Sequence, residues 1–203
     1  MGISDRKERE KAEMKKMILD AAMDLFIHEG YNGISLRKIA DKIEYSPGSI
    51  YNYFEDKDSI FYALHVEGFG LLYQKQLSIQ DITDPRERLI KHGRVYIEFA
   101  LENQQYYDIM FMIRGPEEII CKKEDWAHGF RSYDLVRRNV AECQAAGMFK
   151  GQNLEAVAFS LWAMVHGIAS LVIRRGFALK QMINEDTNTM IENGLNLMRE
   201  LIK

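Results

Sequence analysis

The sequence is poor in the residues that cross-link or interrupt a chain. Its 203 residues include two cysteines and three prolines. Cys121 and Cys143 form no C-x-x-C pair, so the sequence predicts neither a disulfide framework nor a zinc site, and it favours a reducing compartment. We interpret both cysteines as buried thiols rather than redox sensors. The prolines, Pro47, Pro85 and Pro116, are far apart, which leaves long stretches free to be helical.

Targeting and membrane signals are also missing. The N-terminus, "MGISDRKEREKAEMKKM", is charged where a secretory signal would be apolar. We recognise no run of about 18 apolar residues and therefore expect no membrane-spanning segment. The sequence predicts a cytoplasmic protein.

Patterns that carry enzyme chemistry are absent as well. His28, His65, His92 and His128 lack metal-ligand spacing, so we predict no metal site. The sequence contains no G-x-S-x-G elbow, no Gly-rich phosphate loop and no paired E-x-x-H motifs. It therefore predicts a protein that is not an enzyme and that has no cofactor.

Apolar residues recur at steps of three and four, which indicates an all-α protein. A first helix is expected from about Glu10 to Glu29, ended by Gly30. Asp56 and Asp84-Pro85 look like the starts of further helices, with a break at 78–84 between them. "QQYYDIMFMI" predicts a short helix, and a longer one ends at Gly147.

The segment from Ser35 to Lys57 has the dimensions of a helix-turn-helix. Ser35 and Ser46 are good N-caps, and Pro47 suits the first position of the second short helix. In such a unit the second helix enters the DNA major groove with its N-terminus first. The segment thus predicts a nucleic-acid interface, although its formal charges cancel and the whole chain carries −3.

The face of the second short helix follows from its spacing. Ile50 and Phe54 are four apart and should pack inward, which leaves Ser49, Asn52 and Tyr53 toward DNA. The small residue Gly48, like Ser49, would permit close approach to phosphates and base edges. Tyr51 lies at the edge, where its ring could contact sugar and its hydroxyl a phosphate. Lys57 is placed to bind phosphate.

Additional positive charge precedes the first helix. The six cations between Arg6 and Lys16 exceed the acidic residues there by three. A flexible arm with this excess could lie along the DNA backbone or in the minor groove. The alternative is that these residues form the solvated start of the first helix.

With these residues the chain resembles the TetR family of one-component transcriptional regulators. The match runs from "HEGYNGISLRKIADKI" into "SPGSIYNYFEDK", and it covers roughly Glu10 to Phe61. The resemblance implies an all-α homodimer with a three-helix DNA-binding domain at 1–60. It also implies a helical effector-binding and dimerisation domain at 61–203. Carried over by position, it adds Arg37 and Pro47 to the expected contacts with double-stranded operator DNA.

The family's pattern implies repression that a small effector relieves. Residues from Lys57 to about Leu77 would carry the motion between the effector and the DNA. We expect an apolar or aromatic effector because aromatic residues and methionines are frequent between Phe99 and Trp162. The candidate lining residues are Phe99, Tyr106, Tyr107, Met110, Phe111, Trp126, Phe130, Trp162 and His166. For each one taken alone, plain packing in the core is the alternative.

Two C-terminal segments suggest self-association. The helix predicted at 153–175 is apolar over much of its circumference, and the one at 185–203 is amphipathic. A helix that is apolar on more than one face needs a partner surface, so we expect a homodimer through these two helices. Trp162, His166 and Gly167 also resemble a W-x-x-x-H-G subgroup of the family. His166 itself suits a structural role as well as a ligand donor.

Two other classes of function remain as alternatives. A helical-bundle enzyme would need the paired E-x-x-H motifs that are missing. A protein-interaction module would not need small residues at the start of the second short helix. Sequence- and salt-dependent DNA binding distinguishes a regulator from both.

Overall fold

The described part of the chain, residues 3–113 and 127–202, is helical and contains no strand in the computed structural model. This agrees with the predicted all-α class. A short 3₁₀ turn at Tyr31–Gly33 separates the first two helices. The helices are α1 (Ile3–Glu29), α2 (Leu36–Lys42), α3 (Pro47–Tyr51), α4 (Lys57–Leu77), α5 (Pro85–Glu102), α6 (Gln104–Phe111), α7 (Ala127–Ala145), α8 (Leu154–Ile183) and α9 (Thr187–Leu201).

Polar caps fix the starts of several helices where the sequence predicted them. The Ser35 side chain accepts from Lys38 N, and Asp56 Oδ1 accepts from Ser59 N at 2.6 Å. Asp84 Oδ1 accepts from the amides of Arg86 and Glu87, at the start of α5. Each cap satisfies amide groups that have no partner inside the helix.

Two predicted helix boundaries are wrong. α1 begins at Ile3 instead of about Glu10, and α8 continues to Ile183 instead of ending at Arg175. Gly176 follows Arg175 directly but does not end the helix, and no proline precedes Asn184, whose backbone is left-handed with φ 58°. The helix therefore continues for two more turns.

The described residues form two compact units, 3–68 with 105–113, and 69–104 with 127–202. In the first unit, Ile18, Ile39, Ile50 and Phe61 belong to one buried cluster. Ile109 of α6 is part of the same cluster. The first unit is thus built from α1 to α3, the first half of α4, and α6.

In the second unit α5 packs against α7, α8 and α9. Gly93 permits this close packing, since a Cβ there would lie 3.1 Å from Val165 Cγ1 and 3.2 Å from Met198 Sδ. The Arg94 guanidinium binds both oxygens of the Glu192 carboxylate at 2.5 and 2.6 Å, and so links α5 to α9. Cys143 is buried, and burial raises the pKa of its thiol to about 11, as expected for an inert residue. Cys121 lies outside the described residues.

α8 also overturns the expectation that no segment is apolar enough to span a membrane. Its 30 residues have a mean hydropathy of 1.9 over the most apolar window, and 28% of that window is buried. Length and composition alone would allow it to cross a bilayer. A helix that packs on one side and meets a protein partner on the other passes the same test.

Candidate nucleic-acid interface

α3 is the second helix of the predicted helix-turn-helix. The Ser46 hydroxyl caps it by accepting from Ser49 N, and Pro47 occupies its first turn. Between α2 and α3 the chain turns through Glu44, at φ 61°, and Tyr45 N donates to Ala40 O at 3.0 Å. This turn presents the N-terminus of α3 to solvent, as the predicted geometry requires.

The two faces of α3 separate as the spacing predicts. Ile50 is fully buried and Phe54 nearly so, and both belong to the core cluster of the first unit. Tyr51 is 61% exposed, and Asn52 is exposed as well. Tyr53 is half-buried and packs against the core cluster, so less of it is available to a partner than of Tyr51.

The N-terminal end of α3 is exposed to solvent. Pro47 and Gly48 are exposed, and Ser49 is half-buried. A Cβ at Gly48 would have one neighbour, Ser46 Oγ at 3.8 Å, so packing inside the chain does not require glycine there. A close approach by a molecule from outside would require it.

The cations around α3 fall into two groups. Lys38 pairs with Glu29 and donates to Gly33 O at 2.8 Å, and Lys42 pairs with Asp24 at 2.6 Å. Arg37 is exposed and has no ion pair or hydrogen bond within the described residues. Its charge therefore remains available to an anion.

Lys57, at the start of α4, is held by uncharged groups. Its Nζ donates to Tyr31 O at 3.1 Å and lies 3.9 Å from the centroid of the Tyr31 ring. No carboxylate pairs with it in the part of the chain that the structure describes. Tyr31 was absent from the predicted contacts, because its approach to Lys57 joins residues 26 positions apart.

The basic N-terminal segment is helical, so the expected flexible arm is wrong and the alternative of a solvated helix start is confirmed. Ion pairs at i,i+4 join Arg6 to Glu10 at 2.7 Å and Arg9 to Glu13 at 3.8 Å. Lys16 pairs with Asp20 at 2.8 Å. The other three cations, Lys7, Lys11 and Lys15, are spaced by four and lie along one exposed side of α1. They have no ion pair with any described residue.

Four of the predicted effector residues lie on α6 in the first unit. Tyr107 is fully buried and its ring lies 5.3 Å from that of Phe111. A Cβ on Gly68 would come within 2.7 Å of Met110 Sδ and 3.1 Å of the Tyr106 ring, so α4 and α6 are in close contact. Burial, with a hydrogen bond to Glu67, raises the pKa of Tyr106.

Other predicted effector residues lie in the second unit. Phe99 is fully buried, whereas Phe130 is exposed. The Trp162 ring contacts those of Tyr133 and His166 at 6.3 and 6.0 Å. His166 Nδ1 lies 2.8 Å from the Tyr96 hydroxyl, and burial lowers its pKa. Trp126 lies outside the described residues.

The predicted effector residues that the structure describes are thus divided between the two units. A surface groove of about 550 Å³ on the first unit is lined by α1 and the end of α2, and contains none of the predicted effector residues. Within the described residues no group of three or more histidines, cysteines and acidic residues could hold a metal ion.

An all-α chain with an exposed helix-turn-helix near its N-terminus has the architecture of a DNA-binding protein. The sequence matches the family of bacterial regulatory proteins called tetR over residues 18–64, and the tetracyclin repressor-like C-terminal domain over residues 89–198. The chain belongs to the TetR family. The family and the relatives found here are transcriptional regulators and not enzymes.

Individual relatives agree with this assignment. The chain is 25% identical over 192 residues to the HTH-type transcriptional regulator HbdR of Aromatoleum sp. (strain CIB), covering 89% of this chain and 80% of HbdR. It is 31% identical over 94 residues to the uncharacterized HTH-type transcriptional regulator YobS of Bacillus subtilis (strain 168). That alignment covers 46% of this chain and about half of YobS.

Solved structures show the same fold. A crystal structure described as a TetR-family transcriptional regulator from Syntrophomonas wolfei superposes with a TM-score of 0.73 at 24% identity. The superposition covers 94% of this chain and 95% of that chain. The helical architecture is therefore the fold of this family.

Proposed function

We propose that the protein is a DNA-binding transcriptional regulator whose α3 docks in the major groove of an operator. The supporting observation is that α3 exposes Tyr51 and Asn52 while Ile50 and Phe54 fix it to the core. The proposed contacts are Arg37, Pro47, Gly48, Ser49, Tyr51, Asn52, Tyr53 and Lys57. A tyrosine hydroxyl and an asparagine amide can bond to phosphate and to an adenine edge, respectively.

Charge is consistent with this role even though the segment as a whole is neutral. Arg37 and Lys57 have no acidic partner among the described residues, whereas Lys38 and Lys42 are neutralised within the fold. The Lys7, Lys11 and Lys15 row on α1 adds unpaired cations. Neutralising phosphates releases counterions, so the proposed binding falls steeply as salt rises.

The test is selection of duplexes from a random-sequence library by the purified protein, followed by salt titration with a recovered duplex. We expect the selected duplexes to share one preferred sequence, and we expect that sequence to occur upstream of the protein's own gene. We also expect affinity to fall linearly on a logarithmic salt scale. Operator binding would be refuted if the recovered duplexes shared no sequence and if their affinity did not change with salt concentration.

We propose further that the protein acts as a homodimer through α8 and α9, the helices predicted at 153–175 and 185–203. At 100° per residue, Phe159, Ala163 and Phe177 lie within about 40° of one another on α8, opposite the buried Leu161 and Val165. These exposed side chains are apolar, which suits packing against a second helix. On α9, Leu197 and Leu201 are exposed one turn apart.

The regulatory part of the proposal is a repressor that a small apolar or aromatic effector releases from DNA. An effector that contacted α6 would act on an element whose Ile109 lies in the core cluster of the DNA-binding unit. A coupling free energy of about 1–3 kcal/mol between effector and DNA would change operator affinity 5–150-fold. The predicted lining residues, the W-x-x-x-H-G subgroup, the boundary at residue 60 and a cytoplasmic location all stay part of this proposal.

The effector class is tested by titrating the protein–duplex complex with a panel of aliphatic and aromatic compounds. Duplex release is read by fluorescence anisotropy, and binding by intrinsic tryptophan fluorescence. We expect release by apolar or aromatic members of the panel. Release by sugars or small inorganic ions instead would contradict this effector class.

A further inference from the structure

Tyr31 makes three contacts around the start of α4. It follows Gly30, whose φ of 67° turns the chain at the end of α1. The Tyr31 ring meets the Phe61 ring edge-on at 4.9 Å, and its hydroxyl donates to the Asp58 carboxylate. The pKa of Tyr31 is raised, first by burial and then by Asp58, so the hydroxyl keeps its proton as a donor.

Lys57 lies on the same tyrosine. Its ammonium is 3.9 Å from the ring centroid and 3.1 Å from the Tyr31 carbonyl oxygen. Both acceptors are uncharged, so they orient the ammonium without neutralising it. A cation over the face of an aromatic ring is attracted by the negative charge density of that face, so the ring helps to hold the ammonium in place.

The carboxylate next to Lys57 in sequence is engaged elsewhere. Asp58 accepts from the Tyr31 hydroxyl and forms no ion pair with Lys57. Lys38 and Lys42 differ, because each has a carboxylate within ion-pair distance. Lys57 is therefore oriented by the fold while its charge stays uncompensated.

Lys57 does not stabilise the helix that it begins. A cation in the first turn opposes the helix dipole, and Lys57 is the first residue of the 21-residue α4. The same dipole attracts an anion, although the amide of Ser59 in that turn already donates to the Asp56 carboxylate. An oriented, unpaired ammonium beside a helix N-terminus is an arrangement that favours phosphate.

We propose that Tyr31 is a positioning residue for the phosphate contact of Lys57. Its ring and carbonyl oxygen hold the ammonium, and its hydroxyl keeps the Asp58 carboxylate from neutralising it. This inference rests on the operator binding proposed above, and it adds Tyr31 to the interface as a positioning residue.

The test is a set of variants in which each contact is removed separately. Tyr31→Phe keeps the ring beneath the ammonium and its packing on Phe61, but frees Asp58 to pair with Lys57. We expect DNA affinity to fall about fivefold in Tyr31→Phe, with a reduced dependence on salt. Asp58→Asn alone should bind no more weakly than the unmodified protein.

Two combinations separate positioning from a purely structural role. Tyr31→Phe with Asp58→Asn should restore the affinity, because an amide cannot neutralise the ammonium. In a Lys57→Ala background, Tyr31→Phe should have no further effect on affinity. Circular dichroism and thermal unfolding verify that each variant is folded. The probes are the selected duplex and an unrelated duplex at low salt, since phosphate contacts are independent of sequence.

The outcomes distinguish this inference from the proposed function. If Tyr31→Phe lowers affinity equally with and without Lys57, or Asp58→Asn fails to restore it, Tyr31 acts structurally and the inference is wrong. If Lys57→Ala leaves affinity unchanged, the phosphate contact itself is wrong and the inference falls with it. Absence of sequence-selective binding in the unmodified protein would instead refute operator recognition.

Discussion

α3 and α8 both expose aromatic side chains, but they do so in opposite chemical settings. α3 has five residues, and its exposed Tyr51 carries a hydroxyl beside the polar Asn52. α8 has 30 residues, and the side chains of its exposed Phe159 and Phe177 carry no polar atom. A helix with polar exposed side chains and small residues at its N-terminus suits contact with a hydrated phosphate backbone. A long hydrocarbon face suits contact with a second protein surface.

The comparison shows that exposure alone does not define a function. The two helices differ in the residues that anchor them to the core and in the charges near their exposed faces. Two buried residues, Ile50 and Phe54, fix α3, and unpaired cations lie nearby. α8 is held by a continuous row of buried apolar residues, and its opposite side carries no charge between Glu155 and Arg174.

The largest expected effect comes from placing a charge on the exposed side of α8. Ala163→Glu would bury an unpaired carboxylate twice in a symmetric dimer, which we expect to weaken dimerisation by at least about 3 kcal/mol, or roughly 100-fold. Gln152→Glu, in the exposed loop before α8, is the matched control. Sedimentation velocity over a concentration series measures the dimerisation of both variants. An Ala163→Glu protein that dimerises like the control would place the interface elsewhere.

The next effect separates the anchor of α3 from its exposed face. Ile50→Ala removes a fully buried side chain, and we expect the first unit to lose about 3 kcal/mol of unfolding free energy. Tyr51→Ala should change that free energy by less than about 0.5 kcal/mol. Urea denaturation followed by circular dichroism provides the measurement. Equal losses would mean that Tyr51 belongs to the core.

Much of the first unit was predictable because its signals are local. The caps at Ser35, Ser46 and Asp56 and the pair Ile50 and Phe54 each depend on residues within four positions. The start of α1 at Ile3 was missed because the same charges that suggest a DNA-binding arm also form i,i+4 helix pairs.

The features that sequence reasoning missed are long-range. Tyr31 meets Lys57 across 26 positions, and Ile109 reaches the core cluster of the first unit from α6. Nothing in the local spacing of "QQYYDIMFMI" distinguishes residues that pack on α4 from residues that line a cavity. For this reason the effector residues could be nominated but not separated into lining and core.

A smaller effect concerns pH and involves one buried histidine in each unit. Burial lowers the pKa of His65 and of His92 to about 4, below their value of about 6.5 when unfolded. Below pH 6.5 the unfolded chain therefore binds protons that the folded chain does not, and stability falls until about pH 4. Each histidine should remove about 2 kcal/mol between pH 7 and 5.

Denaturation at stepped pH measures this loss. His65→Gln should flatten the pH dependence for the first unit, and His92→Gln for the second. If the unfolding free energy falls as steeply between pH 6.5 and 5 in both variants as in the unmodified protein, the two histidines are not the groups that titrate.

The smallest expected effect distinguishes two adjacent cations of α2. Arg37→Ala should weaken DNA binding several-fold and reduce the slope of log affinity against log salt by about 0.9, the loss of one phosphate contact. Lys38→Ala is the matched control, because Lys38 is paired with Glu29. Fluorescence anisotropy over a salt series compares them. A larger change of slope for Lys38 would reverse the assignment.

Hydroxyl-radical footprinting on the selected duplex tests the central claim most directly. A dimer that docks two copies of α3 should protect two patches about 34 Å apart, or a multiple of that distance, along one face of the DNA. Tyr51→Ala combined with Asn52→Ala should abolish both patches without unfolding the protein. Protection that survives this double variant, or one patch in the unmodified dimer, would contradict recognition through α3.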